Sequence, residues 1–484
     1  MARETDIFLE QVDPWRWRIP KTGPMRTDGL IFADSKLIQA VRGDESLQQV
    51  ANVATLPGIV GSSLAMPDVH SGYGFPIGGV AAFDVEHGVI SPGGVGYDIN
   101  CGVRLLRSGL DRKDVEKKIS ALVDALFRNI PSGVGSRRKD LKLGHKDMEK
   151  LLRKGVQWAV EEGFGSAEDL AHIEAGGCIP GADPEAVSER AVERGHTQVG
   201  TLGSGNHFVE VGFVETVFDA EAASAFGLEQ GQATLTIHTG SRGLGHQVCE
   251  DYIRVMAEAS RRSGIELPDP QLCCAPLDSP EGRRYLAAMA CAANFAFVNR
   301  QMITHWAREA FEEVFGLSSD EIQLGLVYDV CHNIAKIETH NIEGRQVRVC
   351  VHRKGATRAF PPGHPEIPPD YRAVGQPVLI PGDMGRCSYV LVGTDRAAQE
   401  SFASTCHGAG RLMSRHQAKK AAKGRSIPRE LEKRGILVRG ASMGTLVEEI
   451  PEAYKDVEDV VQVVHEAGIS RKVARLRPLG VIKG

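Results

Sequence analysis

The chain has 484 residues, 42% of them hydrophobic and 25% charged, a balance that excludes a largely disordered or fibrous protein. Its formal net charge is -5, so any nucleic-acid partner must be held by a local basic surface rather than by a global field. No run approaches about 20 uninterrupted apolar residues, and the opening MARETDIFLEQVDPWRW lacks the apolar core of a leader. No membrane partner is expected. Ten cysteines scattered without the close, even spacing of a disulfide scaffold suit a reducing, cytoplasmic setting.

In chain order, residues 1–45 read as an irregular lead-in with a short helix near Ser35 to Arg42. From 46 to 110, short apolar runs broken by glycine and proline, among them MPDVHSGYGFPIGGVAAFD, predict strands joined by tight turns. Helical spacing predicts helices at about 113–129 and 146–162. Residues 199–215 form a glycine turn feeding a strand, with Asn206 and His207 at its mouth. The stretch 233–262 reads as strand, loop and helix, with His238 and Arg242 in the loop. Residues 281–315 predict the longest helix, followed by a strand ending near His332 and another running into Arg353 and Lys354. SYVLVGT predicts a buried strand, and His407 is carried into a basic helix, with a basic helical segment near 411–436. The tail from about Pro428 reads as short helices ending in RLRPLGVIKG. No internal repeat or clean linker stands out, so residues 1–484 are expected to form one α/β catalytic domain.

Chemistry concentrates first in GGVGYDINCGVRL, residues 93–105, where glycines permit a tight turn that aims Asp98 and Cys101 at one point. A carboxylate and a thiolate do not close a metal site alone. Asp98, Cys101, His207, His238 and His332 all fall where strands meet polar or glycine-rich loops, and five ligands suit two metals. Ligand softness favours Zn²⁺ and phosphate chemistry favours Mn²⁺ or Mg²⁺; an Asp–His hydrolase dyad is a third possibility. HTGSRGLGHQ and SGNHF offer donors suited to phosphate. In CHGAGR, small neighbours leave His407 accessible, and Arg411 and Arg415 follow at i+4 and i+8 of the predicted helix, an arrangement suited to nucleophilic attack on a polyphosphate. Aromatics are only 6% of the chain, so no extended base-stacking platform is apparent and phosphate contacts would dominate RNA binding.

Together MPDVHSGYGFPIGG, GGVGYDINCGVRL, GSGNHFVEV, HTGSRGLGH, VYDVCHN, VHRKGATRA and STCHGAGR resemble the RtcB family of RNA-splicing ligases, in this order and over most of the chain. The resemblance implies an α/β fold with a mixed-sheet core surrounded by helices. It implies a GTP- and Mn²⁺-dependent enzyme that joins a 3′-phosphate or 2′,3′-cyclic phosphate RNA end to a 5′-hydroxyl end, on tRNA halves or broken RNA. By the same resemblance His407 becomes guanylylated. Cys101 bridges two Mn²⁺ ions, His238 and His332 completing one site and Asp98 with His207 the other. Asn206, Glu210, Asp383, Gly408, Ala409, Gly410, Tyr454 and Lys483 would contact the nucleotide, and Arg194, Arg242, Lys354, Arg411 and Arg415 would contact RNA phosphates. An archease-type activator is a further implied partner. PGDMGRCSYVL departs from the pattern, with Asp383 where many relatives have Ser or Thr; an acid there repels phosphate unless it faces guanine or a cation. Two other functions fit parts of the pattern: a metal-dependent phosphoesterase, which has no need of His407, and a non-catalytic RNA-binding protein, which leaves the five candidate ligands unexplained.

Overall fold

The computed structural model describes residues 7–138, 140–141 and 143–484. Two mixed sheets make up the β layer of an α/β architecture. The first has seven strands in the order Glu10–Asp13, Arg16–Ile19, Gly29–Phe32, Ile59–His70, Ile77–Asp84, Arg345–Lys354 and Asn333–Ile342. The second orders Gly325–Cys331, Gly102–Asp111, Gln232–Thr239, Phe208–Val217, Ser470–Lys483, Ser388–Gly393 and Pro377–Ile380, and Leu437–Gly440 adds to Ser470–Lys483 in parallel. Central strands such as Ser388–Gly393 are buried along their whole length, which is why they read as continuous apolar runs rather than as alternation.

One residue separates the sheets. Gly325–Cys331 forms an edge of the larger sheet and Asn333–Ile342 an edge of the smaller, with His332 between them. Register then gathers strand ends from the larger sheet at the same place: Gly102 pairs with Cys331 and Thr239, Phe208 with His238, and Lys483 with Phe208.

The helix Pro280–Phe315 is 36 residues long, started by a Ser279 cap and proline and ended by Gly316 in the left-handed region, as helix-end chemistry favours. It buries polar side chains in mid-span. Arg300 donates to Asp329 at 2.9 Å, to the carbonyls of Asn100 and Thr239 at 2.9 Å each, and to Asn100 Oδ1 at 3.0 Å. Arg104 donates to the other Asp329 oxygen at 2.7 Å. All three charged side chains are fully buried.

Several sequence expectations change. The lead-in contains three strands at Glu10–Asp13, Arg16–Ile19 and Gly29–Phe32; each is too short to announce itself and is held by its sheet partners. Residues 1–6 lie outside the described residues. The helix expected over 146–162 is two, His145–Lys154 and Val156–Glu161, because Gly155 has φ +56° and a Cβ there would stand 2.1 Å from the Gly177 carbonyl oxygen. His238 lies on a strand, and Arg242 opens the helix Arg242–Arg262. His407 does not run into a helix: residues 406–414 are non-helical, and the basic helices are Arg415–Ala421 and Ile427–Glu432. Arg411 and Arg415 therefore do not share a helical face with His407. RLRPLGVIKG, all but its last glycine, belongs to the fourteen-residue strand Ser470–Lys483. Pro478, which argues against a central strand, is tolerated at a register irregularity between Pro478 and Gly480. No described helix is long and apolar enough to cross a membrane.

Removing Asp329 would strand two buried guanidinium groups. Asp329→Ala is expected to destabilise the protein by about 3–5 kcal/mol, read as a lowered denaturant midpoint.

Candidate active site

Asp98 to Cys101 form a turn closed by Cys101 N–H to the Asp98 carbonyl at 2.9 Å. Its third residue, Asn100, has φ +52°. That strained conformation is held from three sides: the Arg300 bonds above, Asn100 N–H to the Asn333 carbonyl at 2.7 Å, and the Asn100 amide to the Ala293 carbonyl at 2.7 Å. Gly102 follows because a Cβ would come within 2.2 Å of the Val330 carbonyl oxygen. Gly240 has the same function just beyond the strand Gln232–Thr239, where a Cβ would stand 2.4 Å from Asp98 Oδ1. The same Asp98 oxygen accepts from Ser241 N–H at 3.0 Å.

Cys101 Sγ lies 3.5 Å from His207 Nε2 and 3.4 Å from His238 Nε2; His238 Nε2 lies 3.4 Å from His332 Nε2; and His207 Nε2 lies 2.9 Å from Asp98 Oδ2. Two donor groups result, Cys101 with His238 and His332, and Asp98 with Cys101 and His207, each with its ligand atoms within 4.8 Å of one another. Cys101 is common to both.

The donor chemistry fits cations. His207 Nδ1 lies 3.0 Å from the Leu202 carbonyl, and donating its proton there leaves a lone pair on Nε2 facing a carboxylate oxygen and a sulfur. A cation among them turns a repulsion into three bonds. Burial first, then neighbouring positive groups, push the His238 and His332 pKa values well below the usual histidine range, so both present neutral nitrogens. Burial and the Asp98 charge raise the Cys101 thiol well above its ordinary value, so a cation must displace its proton. Asp98 is held down to about 2; burial opposes this, and His207 beside it leads the groups that overcome it.

His407 sits beside this cluster, its ring centroid 5.0 Å from that of His332. The short strand Ser404–Thr405 pairs with Thr357–Arg358 and brings the chain to it. Gly355, at φ +64°, leaves room for the ring, since a Cβ there would stand 3.0 Å from His407 Cε1. Asp68 fixes the imidazole: its Oδ2 lies 2.5 Å from His407 Nδ1 and accepts from the backbone N–H groups of His407 and Gly408 at 3.0 and 3.2 Å. Although burial raises the Asp68 pKa, the charge and hydrogen bonds of His407 bring it below the usual carboxylate range. With Nδ1 committed to Asp68, Nε2 carries the free lone pair.

Asp98, Cys101, His238, His332 and His407 line one cleft of about 440 Å³ together with Asn206, Glu210, Asp383, Gly408, Ala409, Gly410, Arg411, Arg415, Tyr454 and Lys483. Phe208 stands between the cluster and Lys483, its ring 5.4 Å from that of His238 and its centroid 5.4 Å from Lys483 Nζ. Burial, reinforced by Asp383, raises the Glu210 pKa to about 8, so this carboxyl is mostly protonated at neutral pH and can donate a hydrogen bond. Asp383, also raised by burial, accepts from Gly385 N–H at 2.9 Å and lies 3.3 Å from Arg386.

Of the five arginine and lysine candidates for RNA contact, Lys354, Arg411 and Arg415 line this cleft and Arg194 and Arg242 lie outside it. Arg411 is committed to Glu449 at 3.1 Å and to the Tyr454 hydroxyl at 3.0 Å, and Tyr454 also bonds Glu449. Lys354 is buried, donating to the carbonyls of Tyr73 and Phe75 at 2.6 and 2.9 Å. Arg194 reaches Gln247 at 2.8 Å, Arg242 reaches Thr201 at 3.3 Å, and the exposed Arg415 lies 3.6 Å from Glu448. Two site residues were not singled out from sequence. Asp68 had a signal, a carboxylate inside the apolar MPDVH strand; Glu449 had none.

A family model described as tRNA-splicing ligase RtcB matches residues 49–484. The chain belongs to the RtcB family. It is 56% identical over 479 residues to the tRNA-splicing ligase RtcB of Thermococcus kodakarensis, covering 99% of each chain. It is 55% identical to that of Archaeoglobus fulgidus with the same coverage. The RNA-splicing ligase RtcB of Mycobacterium tuberculosis is 54% identical over 438 residues, 90% of this chain and 100% of the relative. For an RtcB family member with these donors, cation binding should release about one proton, that of the shared Cys101, with His238 and His332 contributing none. Apparent affinity should therefore rise as pH rises, measured by calorimetry in buffers of different ionisation enthalpy.

Proposed function

We propose that this chain is a GTP- and Mn²⁺-dependent RNA ligase, acting as one catalytic unit in the cytoplasm. It would join a 3′-phosphate or 2′,3′-cyclic phosphate end to a 5′-hydroxyl end in tRNA splicing or RNA repair. The observation that carries the reading is His407, oriented through Nδ1 by a buried Asp68 and set against a two-group cation cluster. A phosphoesterase that activated water at the cluster would have no use for the Asp68–His407 pair.

His407 Nε2 attacks the α-phosphorus of GTP, a nitrogen–phosphorus bond forms and pyrophosphate leaves. Asp68 holds the ring in the tautomer that attacks and stabilises the positive charge it acquires. Mn²⁺ ions bound by Asp98, Cys101, His207, His238 and His332 would neutralise phosphate charge. Glu210, Asp383, Tyr454 and Lys483, with Asn206 at the lip and the Gly408–Ala409–Gly410 backbone, would seat the nucleotide. The guanylyl group then passes from His407 to the RNA 3′-phosphate, and the 5′-hydroxyl attacks that activated phosphate, expelling GMP and forming a 3′,5′-phosphodiester. A cyclic phosphate is opened by water first. Arg194, Arg242, Lys354, Arg411 and Arg415 are the cations proposed to hold RNA phosphates, Arg415 being the most exposed, and an archease-type protein is the partner to test for activation.

Incubated with α-labelled GTP and Mn²⁺, the denatured protein should retain label that His407→Ala loses. Asp68→Asn should slow labelling roughly 100-fold or more, the scale on which a misoriented base costs rate. Label that persists in His407→Ala contradicts the reading.

A further inference from the structure

Resting on that ligase reading, we infer that Tyr97 and Tyr73 form a stacking platform for the terminal nucleobase of an RNA end. The two tyrosines belong to different loops and meet edge to face, ring centroids 5.7 Å apart at 72°. His246, on the helix Arg242–Arg262, lies against Tyr97 at 4.9 Å. Both tyrosines line the same cleft as Asp98 and His407, and Tyr97 immediately precedes Asp98 in the chain.

The pair is rigid where it is attached and open where it faces the cleft. Lys354 binds the Tyr73 loop through the carbonyls of Tyr73 and Phe75, and its stem packs on Gly96, where a Cβ would stand 3.6 Å from Lys354 Cε. One buried lysine thus ties both loops together. The rings themselves are only half-buried, and among the described residues neither hydroxyl makes a hydrogen bond within the chain. Tyr454, the other cleft tyrosine, is by contrast committed to Arg411 and Glu449. Two fixed, amphipathic rings beside a phosphate-handling cluster suit a flat base whose phosphate faces the cations, and stacking accepts any base, as joining varied ends requires. Three aromatics scattered through the sequence at 73, 97 and 246 supply locally what the low aromatic content withholds globally.

The test uses the full chain without GTP and an oligoribonucleotide with 2-aminopurine at its 5′-hydroxyl terminus or at its 3′-phosphate terminus. Binding should quench one of the two probes, which identifies the end that stacks. Tyr97→Phe should keep the quenching and the Kd, whereas Tyr97→Ala should lose the quenching and weaken Kd roughly tenfold or more. Tyr73→Ala should act in the same direction and serves if the first variant fails to fold. Quenching at neither terminus, or unchanged quenching and Kd in both folded alanine variants, overturns the platform. Label transfer from GTP to His407 without RNA is read separately. A protein that takes label but binds RNA unchanged refutes the platform alone; one that quenches but takes no label refutes the ligase reading alone.

Discussion

The site depends on one buried guanidinium. Arg300, projected from the middle of the 36-residue helix, binds the Asn100 carbonyl and side chain and the Thr239 carbonyl, so a single planar group fixes both the Asp98–Cys101 turn and the end of the His238 strand. Burying that charge is unfavourable unless it is paired, and Asp329 meets it. Asp329 lies on the strand Gly325–Cys331, which ends one residue before His332. Four of the five cluster residues are thus referred to one ion pair, directly or through their own strands, His207 being reached through Asp98. Such an arrangement gives little net stability but a well-defined position.

Around that centre the molecule places chemistry where two sheets exchange chain. His332 spans the crossing, and Glu174 supports it from below, accepting from Cys331 N–H at 2.9 Å and from Lys336 at 2.6 Å. The segment that carries His407 is held separately. Arg353, paired with Glu338 at 2.6 Å, also holds Ser404 and the Phe402 carbonyl, and so steadies the segment that delivers His407 onto Asp68. The cluster and His407 thus depend on different buried ion pairs, Arg300–Asp329 and Arg353–Glu338.

Much of this was legible in the sequence, for a physical reason. Asp98, Cys101, His207 and His238 stand at or near strand ends within two residues of a glycine, and at Gly102 and Gly240 glycine is required because backbone or carboxylate oxygens occupy the space of a Cβ; His332 stands at a strand end with no glycine beside it. Long-range partners left no such mark. Glu449 and Arg300 carry no local signature, since a buried charge is recognisable only once its partner is known. Boundaries failed where tertiary contacts overrode local preference: Gly155 splits a helix against the Gly177 carbonyl, and Pro478 is carried in a central strand. The stretch after His407 contains helix formers but is non-helical, because Gly410, at φ +70°, must pass the Asp68 backbone at a distance where a Cβ would stand 2.3 Å from its carbonyl oxygen.

The proposed site has one thiolate, that of Cys101, shared by two cations beside His407. Anomalous diffraction at the manganese edge, from crystals grown with Mn²⁺, measures it directly. Two peaks are expected, both within bonding distance of Cys101 Sγ, one bounded by His238 and His332 and the other by Asp98 and His207. A single peak, or two peaks of which only one contacts Cys101, would contradict it.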